Sequence, residues 1–73
     1  VMDVAHATRA FRWAIVGFGW VARDHAAPGM RAAGAEIAAV CDPCPAARAA
    51  SGAPGWDSVD LMLRGAACDA VYV

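Results

Sequence analysis

The six residues Gly17-Phe18-Gly19-Trp20-Val21-Ala22 constrain the fold of this chain more than any other stretch of its sequence. They follow an apolar, β-favouring run at 11–16, FRWAIV, and precede a segment typical of a helix. Gly17 permits a tight turn, and Ala22 is small enough for the helix to pack closely on the strand. The pattern predicts a strand, a glycine turn and a helix that folds back across the strand.

A second short strand, 36–41, runs into Asp42, which stands twenty residues after Ala22. Gly19 has no Cβ, so a pyrophosphate could approach the backbone and accept hydrogen bonds from the N–H groups of Trp20 and Val21. An acid at the end of the next strand is where a dinucleotide site accepts hydrogen bonds from the adenosine ribose. The spacing therefore predicts dinucleotide binding.

The predicted cofactor is NAD rather than NADP, because the carboxylate of Asp42 would repel a 2′-phosphate and Pro43 and Cys44, not an arginine, come next. A second role for Asp42, which does not exclude the first, is that of a helix N-cap ahead of Pro43. The predicted cofactor-binding residues are Gly17, Phe18, Gly19, Trp20, Val21, Ala22 and Asp42.

The remaining elements complete an alternation of strands and helices. Pro28 should kink the first helix or end its first part, and Gly34 should close that helix at the C′ position. A second helix should start at Pro43 or Pro45, and a third should follow Asp57 as its N-cap. With a last strand over 69–73, we expect an α/β fold: a partial Rossmann-like, doubly wound parallel sheet of about four strands.

Two cysteines flank Asp42 in the stretch AVCDPC, and a C-x-x-C pair before a helix can form a redox site. Here Cys41 ends a buried strand, where cysteine behaves as a small hydrophobic residue. Zinc would need two further ligands, and only Cys68, His6 and His25 remain, at irregular spacing. Redox and zinc sites are therefore the less favoured interpretations. His25 is interpreted as a packing or surface residue, and Trp20 is the one tryptophan at the predicted cofactor turn.

Composition narrows the class of protein. The 73 residues suffice for one small domain, 60% of them are hydrophobic, and the net charge is −1 with six arginines and no lysine. This composition offers no basic stripe for a nucleic acid or an anionic membrane and no membrane-spanning run. We expect residues 1–10 to be a flexible lead-in, residues 11–73 to form the domain, and the protein to be cytoplasmic.

From Phe11 to Val73 the sequence resembles the amino-terminal part of the Gfo/Idh/MocA family of oxidoreductases. The resemblance rests on the G-x-G-x-x-A turn, on His25 and Pro28 in the first helix, on Asp42-Pro43, and on the final D-A-V-Y-V. It implies an NAD(P)-dependent enzyme that transfers hydride to or from a sugar, a polyol or a related hydroxyl compound. Gly17, Gly19 and Asp42 would take the cofactor roles of the family.

The chain departs from the family in one large respect, since the lysine of the family's E-K-P motif would come after the last strand. We therefore expect a fragment with no catalytic residue and no substrate domain, inactive alone, from a parent that is a homo-oligomer. The alternative is a non-enzymatic nucleotide-binding module. The third strand could be vestigial, and Val71, Tyr72 and Val73 should form an exposed apolar edge that promotes association.

Overall fold

The computed structural model describes residues 9–73, so that His6 and most of the predicted lead-in lie outside the described residues. Its centre is one parallel sheet with the strand order β3-β2-β1-β4. The strands are β1 (Arg12–Val16), β2 (Glu36–Cys41), β3 (Gly55–Trp56) and β4 (Ala70–Tyr72). This order and the parallel pairing confirm the predicted partial Rossmann-like sheet. The third strand is indeed reduced, to two residues.

Three helices connect the strands. The first, α1, consists of a π-helical turn (Ala22–Ala26) that continues into an α-helical part (Ala27–Ala32); the others are α2 (Pro45–Ser51) and α3 (Val59–Gly65). Pro28 stands in the first turn of the α-helical part, immediately after the π-helical turn. Gly34, with φ of +86°, follows the end of α1 as expected. The helix therefore accommodates Pro28 by widening one turn rather than by ending there.

Both predicted N-caps differ from the structure. The N-cap of α3 is Ser58, whose Oγ accepts from the N–H of Leu61 at 3.4 Å, and not Asp57. Asp42 does not cap α2 either, because that helix begins at Pro45 and Cys44 occupies the N-cap position. The Asp42 carboxylate instead accepts from the N–H of Cys44 at 2.8 Å, two residues on, which closes a local turn before the helix.

The core lies on both faces of the sheet, because successive strand residues point to opposite sides. On the face covered by α1 and α2, Ile15 and Val40 pack with Ala27. On the other face Met62 of α3 packs with a buried group of small residues: Ala14, Ala39 and Cys41. Helices on both faces make the sheet doubly wound, and the small residues under Met62 let α3 approach closely.

Asp69 joins β4 to β1 at the amino end of the sheet. Its carboxylate accepts from the side chains of Arg9 and Arg12 at 2.9 and 3.2 Å and from the main-chain N–H of Arg12 at 2.8 Å. These donors hold the pKa of Asp69 far below its usual range, the Arg9 hydrogen bond contributing most. Asp69, Arg9 and Arg12 form an ionic cluster at the amino end of the sheet, so the cluster does not occupy the carboxyl end. Within residues 9–73 no helix has the length and apolar character required to cross a bilayer.

Candidate cofactor-binding site

Gly17 makes the turn that ends β1. Its φ of +86° lies in the left-handed region, where a residue with a Cβ is strained. Its N–H donates to the carbonyl of Cys41 at 2.7 Å, so that the turn begins while the chain is still paired with β2. The structure thus gives Gly17 the conformational role that the sequence predicted for it.

The carboxylate of Asp42 bridges two segments of backbone. Oδ2 accepts from the N–H of Phe18 at 2.8 Å, and Oδ1 accepts from the N–H of Cys44. The hydrogen bond from Cys44, followed by that from Phe18, lowers the pKa of Asp42. Arg48 approaches from α2 and donates to the main-chain carbonyl of Asp42 at 2.6 Å. Asp42 is therefore an ionised, half-buried group that holds the glycine turn against the end of β2.

The candidate residues of the turn divide into two groups. Phe18 and Ala22 are each 4% exposed, and their side chains lie in the core beside Ile15. The burial of Ala22 agrees with its predicted role in close packing of helix and strand. Because the Phe18 N–H already donates to Asp42, Phe18 supports the turn from within and offers a ligand neither its side chain nor its N–H.

Gly19 faces open space. A Cβ built on it would meet no described atom within 4 Å, and its φ is not positive, so neither packing nor backbone conformation requires glycine there. The N–H of Arg23 makes the first hydrogen bond of the helix, to the carbonyl of Gly19 at 2.9 Å. The amides of Trp20 and Val21 precede that bond, and such N–H groups have no partner within their helix. The open backbone at Gly19 and these amides form a cradle suited to an anion.

A cleft of about 370 Å³ adjoins this cradle at the carboxyl ends of β1 and β4. β1 and β4 are also where the strand order turns back, the position at which open α/β sheets bind their ligands. The cleft is lined by the end of β1, by the turn and by the end of β4: Val16, Gly17, Gly19, Trp20, Val21, Ala22, Tyr72 and Val73. Five of the seven predicted residues meet there, while Asp42 stands on the opposite side of β1, at the end of β2.

Tyr72 and Val73 were not among the predicted site residues. The sequence interpretation placed them on an exposed edge, and Val73 is indeed 91% exposed, yet both also line the cleft. The available signal was the pairing of the last strand with β1, which brings the ends of both strands to the same edge of the sheet. Residues at the end of a strand that neighbours the glycine turn should therefore be counted with the site.

The three cysteines are free thiols. Cys41 is 5% exposed and packs with Met62, as expected for a small apolar residue, whereas Cys44 is exposed. Cys68 is half-buried against the same cluster. Within residues 9–73 no three His, Cys, Asp or Glu side chains come together in a group that could hold a metal ion.

Two of the solved structures that are similar to this chain are dehydrogenases. One is the WlbA dehydrogenase from Chromobacterium violaceum, in complex with NADH and UDP-GlcNAcA, with a TM-score of 0.72 and 40% sequence identity. The other is the WlbA dehydrogenase from Bordetella pertussis, with the same two ligands, a TM-score of 0.70 and 32% identity. In both comparisons 86% of this chain is matched, and it spans about a fifth, 20% and 21%, of the length of those proteins.

No curated protein sequence gives a significant match. The family model of the Gfo/Idh/MocA oxidoreductases, which describes an NAD-binding Rossmann fold, matches residues 11–73. That range contains the glycine turn, the Asp42 bridge and all four strands. The chain therefore belongs to the Gfo/Idh/MocA oxidoreductase family, within the NAD-binding Rossmann fold of that family, whose cofactor is NAD.

Proposed function

We propose that this chain is the part of a sugar- or polyol-oxidising dehydrogenase that holds the adenosine and pyrophosphate of NAD. The observation that carries the proposal is the bridge of Asp42 to the N–H of Phe18, at 2.8 Å, because it joins the ribose-binding position to the glycine turn. The family match and the NADH complexes of both similar structures support the same cofactor.

The residues at the site fit this cofactor. The space at Gly19 that a Cβ would enter is open, and Trp20 and Val21 line the adjoining cleft at the start of the helix, so the backbone N–H groups there would hold the pyrophosphate. A carboxylate oxygen has two lone pairs, and the two backbone bonds of Asp42 use one on each oxygen. Asp42 can therefore accept from the ribose hydroxyls without releasing the turn. Its charge disfavours the 2′-phosphate of NADP.

Bound NAD supplies an acceptor for the hydride that leaves the alcohol carbon of the substrate. The contribution of this chain is to bind and orient that cofactor, since the described residues that line its cleft are glycines, apolar residues, a tryptophan and a tyrosine, none of them ionised at neutral pH. The similar proteins were solved with UDP-GlcNAcA, which favours a nucleotide-linked sugar among the substrates to be tested for the whole protein. Acid–base chemistry would come from a later part of such a protein, and the 73-residue chain alone should be inactive.

The partners and the location of the whole protein are further parts of this proposal. We propose that the parent is a homo-oligomer. Three free thiols suit the reducing environment of a cytoplasm. We propose that this part of the protein contacts neither a nucleic acid nor a membrane.

The test is a calorimetric titration of NAD and NADP into the chain and into its Asp42→Ala variant. We expect NAD to bind the unmodified chain more tightly than NADP, and the variant to lose most of that affinity. Circular dichroism of both proteins shows whether they are folded. Absence of NAD binding by a folded, unmodified chain would contradict the proposal and favour a structural module. Turnover of a sugar alcohol with NAD by this chain alone would contradict the assignment of acid–base chemistry to a later part.

A further inference from the structure

Trp20 is a large aromatic residue that the chain leaves 64% exposed at the rim of the cleft. The His25 ring supports the indole by packing edge-to-face against it, with the ring centroids 5.7 Å apart and the ring planes at 76°. Such an arrangement restricts the orientation of an exposed ring. An exposed tryptophan that is braced at the mouth of a cleft offers a flat surface to a ligand.

The π-helical turn explains why these two rings meet. Residues four apart share a face of an α-helix, whereas residues five apart come together where the hydrogen bonds connect residue i to residue i+5. His25 lies within the π-helical turn and Trp20 two residues before it, five residues from His25; the N–H of Ala27 donates to the carbonyl of Ala22, the bond of a π-turn. Pro28, which follows directly, lacks the N–H that a regular α-helix would use. The widened turn thus places His25 beside Trp20.

The topology indicates which part of a dinucleotide would reach this surface. Asp42 lies at the end of β2, on one side of β1, whereas the cleft containing Trp20 lies between β1 and β4, on the other side. A ligand with its ribose at Asp42 and its pyrophosphate at Gly19 must extend over β4. The half of NAD that reaches the cleft is therefore the nicotinamide riboside.

We propose that Trp20, braced by His25, forms an aromatic wall for the nicotinamide riboside half of NAD, and that Trp20 is a specificity-determining residue of this site. The inference rests on the proposed function, because it takes the adenosine ribose to lie at Asp42. It assigns Trp20 a side-chain role in addition to the role of its amide, and it makes His25 a positioning residue that acts through Trp20.

The experiment compares two ligands that share the adenosine and the pyrophosphate: NADH, which carries nicotinamide, and ADP-ribose, which lacks it. In Trp20→Ala we expect the affinity for NADH to fall by about two- to tenfold, the range of one aromatic contact, while the affinity for ADP-ribose stays within about twofold. His25→Ala should weaken NADH binding in the same direction but less. His25→Phe keeps an edge-to-face partner and should restore NADH binding.

Phe11→Ala is the matched control, because Phe11 is also an exposed aromatic residue in an edge-to-face pair. Its ring centroid lies 5.4 Å from that of Trp13, at the other end of β1 from the cleft. It should change the affinity for neither ligand. Equal losses of NADH and ADP-ribose affinity in Trp20→Ala, or unchanged NADH affinity in that variant, would overturn the aromatic wall and leave the proposed function standing. A folded, unmodified chain that binds neither ligand would contradict the proposed function, and this inference with it.

Discussion

The main-chain N–H of Phe18 donates a 2.8 Å hydrogen bond to Oδ2 of Asp42, joining the residue that follows Gly17 to the residue that follows β2. An acid in this place fixes the shape of the turn that would bind the ligand and, by the proposed function, would also accept from the ribose. Loss of Asp42 should therefore loosen the turn as well as remove the proposed ribose contact. The two effects can be separated by a measurement made without cofactor.

Asp42→Asn should speed hydrogen exchange at the Phe18 amide by about tenfold or more, because asparagine has one acceptor oxygen for two N–H donors and carries no charge. Amide exchange followed by NMR in the absence of ligand measures this change. Asp60→Asn removes a carboxylate that is 70% exposed on α3 and should leave the Phe18 amide unchanged. Equal protection of that amide in Asp42→Asn and the unmodified chain would show that the bridge does not hold the turn.

Gly17→Ala should destabilise the fold by about 1–2 kcal/mol, since an L-residue pays roughly that much for the left-handed backbone that Gly17 adopts at φ +86°. No side chain among the described residues obstructs the new Cβ, so the loss would come from backbone strain. Urea unfolding gives the free energy of unfolding. A stability equal to that of the unmodified chain would mean that the turn has another accessible conformation.

Gly19→Ala should weaken NAD binding and leave the stability of the fold unchanged. Its φ is not positive and its Cβ would meet nothing, so we expect the melting temperature to stay nearly constant while NAD affinity falls by at least about tenfold, because the methyl group occupies the pyrophosphate space. Gly29→Ala is the control, since Gly29 is also open but lies within α1, where alanine should stabilise the helix by about 0.5–1 kcal/mol and leave binding unchanged. Unimpaired NAD binding by Gly19→Ala would show that the open backbone at Gly19 does not hold the pyrophosphate.

The Asp69 cluster predicts an acid-sensitive connection between β1 and β4. Because Arg9 and Arg12 depress the pKa of Asp69 in the folded chain, its stabilising contribution is complete above the unfolded pKa of about 3.9 and disappears as pH falls through the lower folded value. Asp69→Asn should therefore lower the melting temperature at pH 7, and the difference from the unmodified chain should narrow below about pH 4. Asp60→Asn, in an exposed pair with Arg64, should change the melting temperature little at either pH. A difference for Asp69→Asn that is independent of pH would exclude its carboxylate as the source.

Met62 is fully buried and packs α3 against the sheet, and Met62→Ala should lower the free energy of unfolding by about 2–5 kcal/mol. A loss of that size is comparable to the whole stability of many small domains, so we expect the variant to lose cooperative thermal unfolding. Leu61→Ala, at a neighbouring position that is 51% exposed, is the control and should retain a transition. Cooperative unfolding of Met62→Ala near the original temperature would show that the face under α3 contributes little.

The parts of the site that follow from local patterns were predictable from the sequence. The left-handed turn at Gly17 and the acid after β2 depend on short spacings, and the structure contains both. The bridge to Phe18 was not predictable, because it depends on how two adjacent strand ends are aligned. The start of α3 was missed for a local reason: Asp57 and Ser58 can both cap a helix, and the choice between them depends on where the chain leaves β3.

Two other features depend on distant or indirect causes. Pro28 indicated a disturbance of the first helix, but no pattern stated that the helix would respond with a π-turn and bring His25 to Trp20. Tyr72 enters the cleft because Ile15 pairs with it across more than fifty residues of chain, a contact that local sequence does not encode. Sequence reasoning therefore described the side of the site at β2 more completely than the side at β4.

Among residues 9–73, none of the eight that line the cleft is an arginine, a lysine or a histidine. A phosphate group held there would meet the dipoles of backbone amides instead of a mobile cationic side chain. Dipoles of that kind are fixed by the fold, and their effect falls off within the first turn of the helix. Recognition of a phosphate at this turn should consequently depend on close contact with the backbone more than on attraction from a distance.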